Sequence, residues 1–169
     1  MTLISKTLTI RFPCIVIIII TLARLEPSHA QNSPQDFLDA HNSVRELARV
    51  GVMEWSDEVA AYAEQYANQR INDCAMQHSN GPYGENLAGM SDDSLIATAA
   101  VQMWVDEEND YDFATNTCAP GKECRHYTQV IWSDSVRLGC ARVVCNTGGT
   151  FIICNYDPPG NIMGQSPFN

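Results

Sequence analysis

The chain has 169 residues, and its 20 acidic side chains outnumber 10 basic ones, for a formal charge of −10 at neutral pH. Such a surface repels phosphate backbones and anionic headgroups, which excludes nucleic acid and the membrane surface as partners. A neutral or apolar ligand is untouched by that argument.

Residues 1–30 read as a secretory signal peptide. Lys6 and Arg11 precede an apolar run that contains Ile15, Val16, Ile17, Ile18, Ile19 and Ile20, and Ser28-His29-Ala30 supplies small residues at the cleavage positions. The run is shorter than the roughly 18 apolar residues of a spanning helix. Cleavage after Ala30 leaves residues 31–169, one domain of ordinary size. Cys14 departs with the leader, and Cys74, Cys118, Cys124, Cys140, Cys145 and Cys154 remain. An even number in an exported chain implies three disulfides. The paired C-x2-C spacings of a zinc cluster are absent from the sequence.

Ser33-Pro34-Gln35-Asp36 has the marks of a helix start: a capping residue, proline in the first turn and an acid at the third position. Phe37, Leu38, His41, Val44 and Ala48 continue it at helical spacing, with Gly51 as the stop. Ser56 caps a second predicted helix, whose apolar face is Val59, Tyr62, Ala63, Tyr66, Ala67 and Ile71. The segment 77–90 is rich in glycine, with Asn80-Gly81-Pro82 and Gly84, and is predicted as a loop. Leu95, Ile96, Ala99, Ala100, Met103 and Trp104 form a third helical stripe; one further turn places Glu107 on its buried side, where a carboxylate needs a partner.

Beyond residue 125 the period changes. His126, Thr128, Val130 and Trp132 alternate with Tyr127, Gln129 and Ile131, which predicts a strand. Two more strands, 137–145 and 150–156, flank Asn146-Thr147-Gly148-Gly149, a hairpin signal. Helices first and antiparallel strands later make an α+β chain. A turn near Thr147 and Gly148 sets Cys140 opposite Cys154. Cys118 and Cys124 close a local loop, which leaves Cys74 to pair with Cys145 and tie the second helix to the sheet.

After the leader the chain has three histidines: His41, His78 and His126. His78 and Glu85 share the Gly/Pro-rich segment, Glu107 ends the third stripe, and His126 opens the last third. Two imidazoles and two carboxylates suit a divalent cation such as zinc, and equally proton transfer near neutral pH. Their spacing alone does not bring them together; each histidine also has a plain structural role open to it. His41, between Phe37 and Val44, reads as a structural histidine. Trp55, Trp104 and Trp132 read as core. No G-x-S-x-G elbow or unpaired thiol offers a nucleophile.

Four segments carry a resemblance: His41-Asn42-Ser43-Val44-Arg45; Gly84-Glu85-Asn86-Leu87; 125–132, Arg125-His126-Tyr127-Thr128-Gln129-Val130-Ile131-Trp132; and Cys154-Asn155-Tyr156-Asp157-Pro158-Pro159-Gly160-Asn161. In order, and with the six cysteines, they resemble the signature motifs of the CAP superfamily, in particular the plant pathogenesis-related 1 group. The resemblance covers 31–169. It implies a three-layer α-β-α sandwich around a central antiparallel sheet, the same disulfide pairing, and a cleft tetrad of His78, Glu85, Glu107 and His126 that in some relatives binds a divalent cation. It implies defence against fungi and oomycetes by a protein that is no enzyme, requires no cofactor and acts as a monomer, outside the cell (apoplast) or in the vacuole. Sterol or other lipid is the expected partner, contacted through 111–125, which contains Tyr111 and Phe113. The alternatives are a metal-dependent hydrolase using the tetrad, and release of a C-terminal signalling peptide by a cut between Asp157 and Pro158, with a surface receptor as partner. Here Pro167-Phe168 is followed by Asn169, a departure from the usual Pro-Tyr ending of that peptide.

Overall fold

The computed structural model describes residues 31–168. The predicted signal peptide, 1–30, and Asn169 lie outside the described residues. Four helices and six strands follow one another: α1 (Pro34–Leu47), β1 (Glu54–Trp55), α2 (Asp57–Gln69), β2 (Gly84–Met90), α3 (Ala97–Val105) with a following 3-10 turn (Asp106–Asp110), β3 (Tyr111–Asp112), β4 (Thr117–Cys118), α4 (Arg125–Val130), β5 (Arg137–Val144) and β6 (Thr150–Asp157). The main sheet has the order β1-β5-β6-β2; β5, β6 and β2 run antiparallel, and the two residues of β1 pair in parallel with β5. A two-stranded ribbon, β3-β4, stands apart.

β6 fixes the layers. Ile152, Cys154 and Tyr156 face the larger core, with Phe37, Trp104 and Val130 from α1, α3 and α4. Phe151 and Ile153 face the smaller core, with Ala63 and Ala67 of α2. This two-residue period puts α2 on one side of the sheet and the other three helices opposite, the three-layer α-β-α sandwich. α2 approaches so closely that a Cβ on Gly139 would stand 2.1 Å from the Ala60 backbone nitrogen.

The disulfides are Cys74–Cys145, Cys118–Cys124 and Cys140–Cys154. Cys140 and Cys154 are direct partners in the β5-β6 register, as the hairpin turn requires. α1 starts at the predicted cap: the Ser33 hydroxyl and the Asp36 carboxylate exchange hydrogen bonds with each other's backbone N–H, a complete capping box. It ends earlier than Gly51 implies, because Arg49 takes the left-handed conformation (φ 58°) just beyond Leu47.

Three expectations are corrected. The segment around His126 is not a strand but the short helix α4. Tyr127, Thr128, Gln129 and Val130 are all buried, and a segment buried on every side carries no period by which to tell strand from helix. Contacts from outside the segment decide: the Glu107 carboxylate accepts the N–H groups of His126 (3.0 Å) and Tyr127 (3.4 Å) at one end, and the Arg45 guanidinium donates to the Val130 carbonyl (2.9 Å) at the other. Second, 84–90 is not loop but the edge strand β2. Its glycines permit close approach; a Cβ on Gly84 would press on the Gln129 side-chain oxygen at 2.3 Å. Third, the third helical stripe runs through Ala97, Ala100, Val101 and Trp104, while Met103 faces outward.

Candidate functional site: a cleft of two histidine–carboxylate pairs

The four tetrad residues come together as two pairs. Glu85, the second residue of β2, accepts from His78 Nδ1 at 2.7 Å and from the Ser79 backbone N–H at 2.9 Å. Its other oxygen accepts from the Ser79 hydroxyl and, at 3.2 Å, from Asn155 Nδ2. Glu107, held in the 3-10 turn after α3, accepts from His126 Nδ1 at 2.6 Å besides capping α4. His78 and His126 then line one cleft of about 330 Å³ with Glu85, Asn86, Glu123, Arg125 and Asn161. Glu107 sits behind His126 and is not in the lining.

In each pair the carboxylate engages Nδ1 and leaves Nε2 as the remaining ring nitrogen. This is how a carboxylate orients a metal-binding imidazole. Among the described residues, however, no three or more His, Cys, Asp and Glu side chains form a group able to hold a metal ion. The cleft offers two imidazoles, fewer protein ligands than a closed or catalytic zinc site.

A buried polar chain supports the cleft from behind. Asn86 Nδ2 donates to the His126 carbonyl (2.9 Å) and to the Tyr156 hydroxyl (3.1 Å). The Tyr156 hydroxyl lies 2.9 Å from His41 Nε2, and His41 Nδ1 lies 2.8 Å from the Phe37 carbonyl. His41 is wholly buried. Desolvation lowers its pKa to about 4 against the opposing pull of the Phe37 carbonyl, and Arg45 lowers it further. The ring is therefore neutral, donating from Nδ1 and accepting the tyrosine proton at Nε2. Asn86, Asn155 and Tyr156 were not singled out for these roles by their chemistry, although all three fall within the motif segments.

Asp157 and Pro158 lie elsewhere, at the end of β6. Arg137 grips the Asp157 carboxylate at 2.5 and 2.8 Å, the Asp157 carbonyl takes the Val136 N–H (3.1 Å), and the Pro158 carbonyl takes the Ser135 hydroxyl (2.7 Å). The 111–125 segment forms the β3-β4 ribbon and the Cys118–Cys124 loop. Tyr111, Phe113 and Tyr127 cluster there with ring centroids 4.8–6.3 Å apart. Among the described residues no helix is long and apolar enough to cross a membrane.

An α-β-α sandwich closed by three disulfides, with two histidine–carboxylate pairs meeting across a sheet edge, defines a class, and the comparisons agree. The cysteine-rich secretory protein family model, CAP, matches residues 38–156. A pathogenesis-related protein of PR-1 type from Sambucus nigra is 54% identical over 93% of this chain and 95% of its own. The basic form of pathogenesis-related protein 1 from Nicotiana tabacum is 59% identical over 91% and 86%. The crystal structure of NaASP2 with Zn2+ superposes with a TM-score of 0.65 at 25% identity, covering 79% of this chain and 83% of that one. The chain belongs to the CAP family, and within it to the plant pathogenesis-related 1 proteins.

Proposed function

We propose that the protein is a secreted defence protein, in the apoplast or the vacuole, that acts on fungi and oomycetes by capturing a sterol or a related lipid. Kinship with pathogenesis-related proteins supports the defence role. One observation supports the lipid: an apolar groove of about 310 Å³ lined by Val44, Leu47, Ala48, Val105, Phe113, Tyr127 and Phe168, with Glu108 as its one acid. Leu47 and Phe113 are 86% and 54% exposed in it. Apolar side chains left in water beside a concavity gain by being covered, at about 25 cal/mol per Å². The groove includes Phe113 of the 111–125 segment and extends it to α1. A fluorescent sterol titrated into the secreted protein should bind saturably at micromolar concentration, and Phe113→Ala should weaken it about tenfold, the effect of roughly 1.4 kcal/mol. Linear, unsaturable uptake by the wild type would dispose of the mechanism.

A divalent cation is the second reading, favoured by the Nδ1-to-carboxylate geometry of both histidines. With only His78 and His126 as ligands, the remaining positions would fall to water and affinity would be modest. Calorimetry with zinc should give one site in the micromolar range or weaker, lost in His126→Ala and weakened in Glu107→Gln, where the ring loses its orienting acceptor. Identical heats for all three proteins would rule out the cleft as a cation site. Hydrolysis draws less support, since the oxygens of Glu85 and Glu107 accept three or more hydrogen bonds per carboxylate from neighbouring groups. A general base needs a lone pair directed at a substrate proton.

A further inference from the structure

The geometry points to the C-terminal segment 161–168 as a displaceable wall of the lipid site, with Phe168 holding the place that an apolar ligand takes. This inference rests on the lipid reading above and adds the residues that gate it. The segment leaves β6 and folds back over α4 and the β3-β4 ribbon. Its near end is fixed: Gly160 N–H donates to the Gln129 side chain (3.0 Å), Asn161 Nδ2 to the Arg125 carbonyl (2.8 Å), and Thr128 Oγ1 to Asn161 Oδ1 (2.6 Å). Its far end is fixed by buried Pro167, whose carbonyl takes the Ser133 N–H at 2.9 Å. Between them Ile162, Met163, Gly164 and Gln165 are exposed, Met163 to 99%. Among the described residues, Asn116 reaches this stretch with a hydrogen bond, donating to the Gln165 carbonyl at 2.8 Å. A strap tied at its ends and bare in the middle has little buried surface to lose on opening.

Two cavities flank the Tyr111–Phe113–Tyr127 cluster, and the strap walls both. Ile162, Gly164 and Gln165 help line one of about 210 Å³, beside Tyr111 and Trp132. Phe168 helps line the 310 Å³ groove, its ring 5.8 Å from that of Phe113. Sites that enclose a drug-sized molecule run from about 300 to 1000 Å³, so with the strap closed one cavity falls short of that range and the other only reaches it. Lifting the strap opens both to one ligand along the shared aromatic cluster. Ligand and strap then exclude each other, and by linkage a ligand that favours the open state also frees the chain beyond Asn161.

The test combines affinity with amide exchange on the secreted, full-length protein and dehydroergosterol as probe. Phe168→Ala should bind about five- to tenfold more tightly than wild type, opposite in sign to Phe113→Ala. Saturating sterol should speed exchange of the Ser133 amide, which reports the Pro167 contact, at least tenfold in the wild type. Equal affinities with an unmoved Ser133 amide would overturn the strap while leaving lipid capture intact. Absence of binding by both proteins would remove lipid capture and the strap together.

Discussion

Arg45→Met should destabilise the protein by about 3–5 kcal/mol, the range seen when one member of a buried, charged hydrogen-bond set is removed. Arg45 is fully buried in α1 and has no carboxylate partner among the described residues. Its guanidinium donates instead to five backbone carbonyls: Gly51 (2.6 Å), Val130 (2.9 Å), Trp132 (2.8 Å), Ser133 (3.4 Å) and Ser135 (3.0 Å). Burial pulls its pKa down to about 10, still far above neutrality, so the charge is retained. The cation sits at the C-terminal end of α4, where unsatisfied carbonyls and the helix dipole favour it. A buried ion pair can often be exchanged for apolar residues at no loss, because both partners leave together. Here the acceptors are main chain and stay, so methionine would fill the volume and orphan the carbonyls. Arg45→Lys should recover less than half the loss, since a single ammonium cannot reach five acceptors spread around a planar fork. Guanidinium unfolding with the disulfides intact measures this, and the thermal midpoint of the methionine variant should fall by about 10 °C. A loss under about 1 kcal/mol would mean that Arg45 serves as filler.

The same residue shows where sequence reading stops. Arg45 stands in a motif segment, and the segment marks it as part of a family pattern, but nothing in its neighbours tells that four of its five partners are carbonyls some 85–90 positions away. Long-range capping also reversed the reading of 126–132. Whether those residues extend or coil depends on Glu107 at one end and Arg45 at the other, neither of which a local window contains. Where the deciding contacts are local, the sequence is legible: Ser33 with Asp36 for the start of α1, and the Asn146-Thr147-Gly148-Gly149 turn that joins β5 to β6 and sets Cys140 against Cys154. β2 escaped because its glycines look like turn residues, while they serve the approach of Gln129 and Met76 to the sheet edge.

Three of the four tetrad residues, His78, Glu85 and His126, line the cleft, and its form was not legible. Placing Glu107 on a buried helical stripe foretold a partner, and that partner is His126. That the tetrad would be two separate pairs, each with its carboxylate turned toward main-chain and side-chain donors, depends on the positions of Ser79, Asn155 and the start of α4. The groove at Phe113 was half visible. Phe113 of its wall lies in 111–125, but Val44 and Ala48 read only as the continuation of a core stripe, and Leu47, which faces water, stood outside that stripe.

Acid should weaken the fold through His41, by about 3 kcal/mol between pH 6.5 and 4. In the native protein its pKa is about 4, with desolvation the main cause; in the unfolded chain it returns to about 6.5. Between those values the unfolded state binds a proton that the native state refuses, so stability falls as pH falls through the window, is fully present above 6.5, and has no more to lose from this group below 4. The groups that face the ring account for the refusal. Arg45 repels a second charge from the same helix, and Tyr156 and Trp104 close over it from β6 and α3, with ring centroids 5.6 and 6.0 Å away. Protonation at Nε2 would also set that nitrogen against the tyrosine proton, and the Tyr156 hydroxyl is the group that Asn86 uses to brace the His126 carbonyl. Loss of the His41 contact should therefore reach the cleft. His41→Gln keeps a donor toward the Phe37 carbonyl and an acceptor toward the Tyr156 hydroxyl but does not titrate. Urea unfolding of both proteins at pH 7, 6, 5 and 4 separates this effect from the carboxylates, which titrate in both. The wild type should lose about 3 kcal/mol more than the variant across that range. Parallel curves would assign the acid sensitivity to other groups.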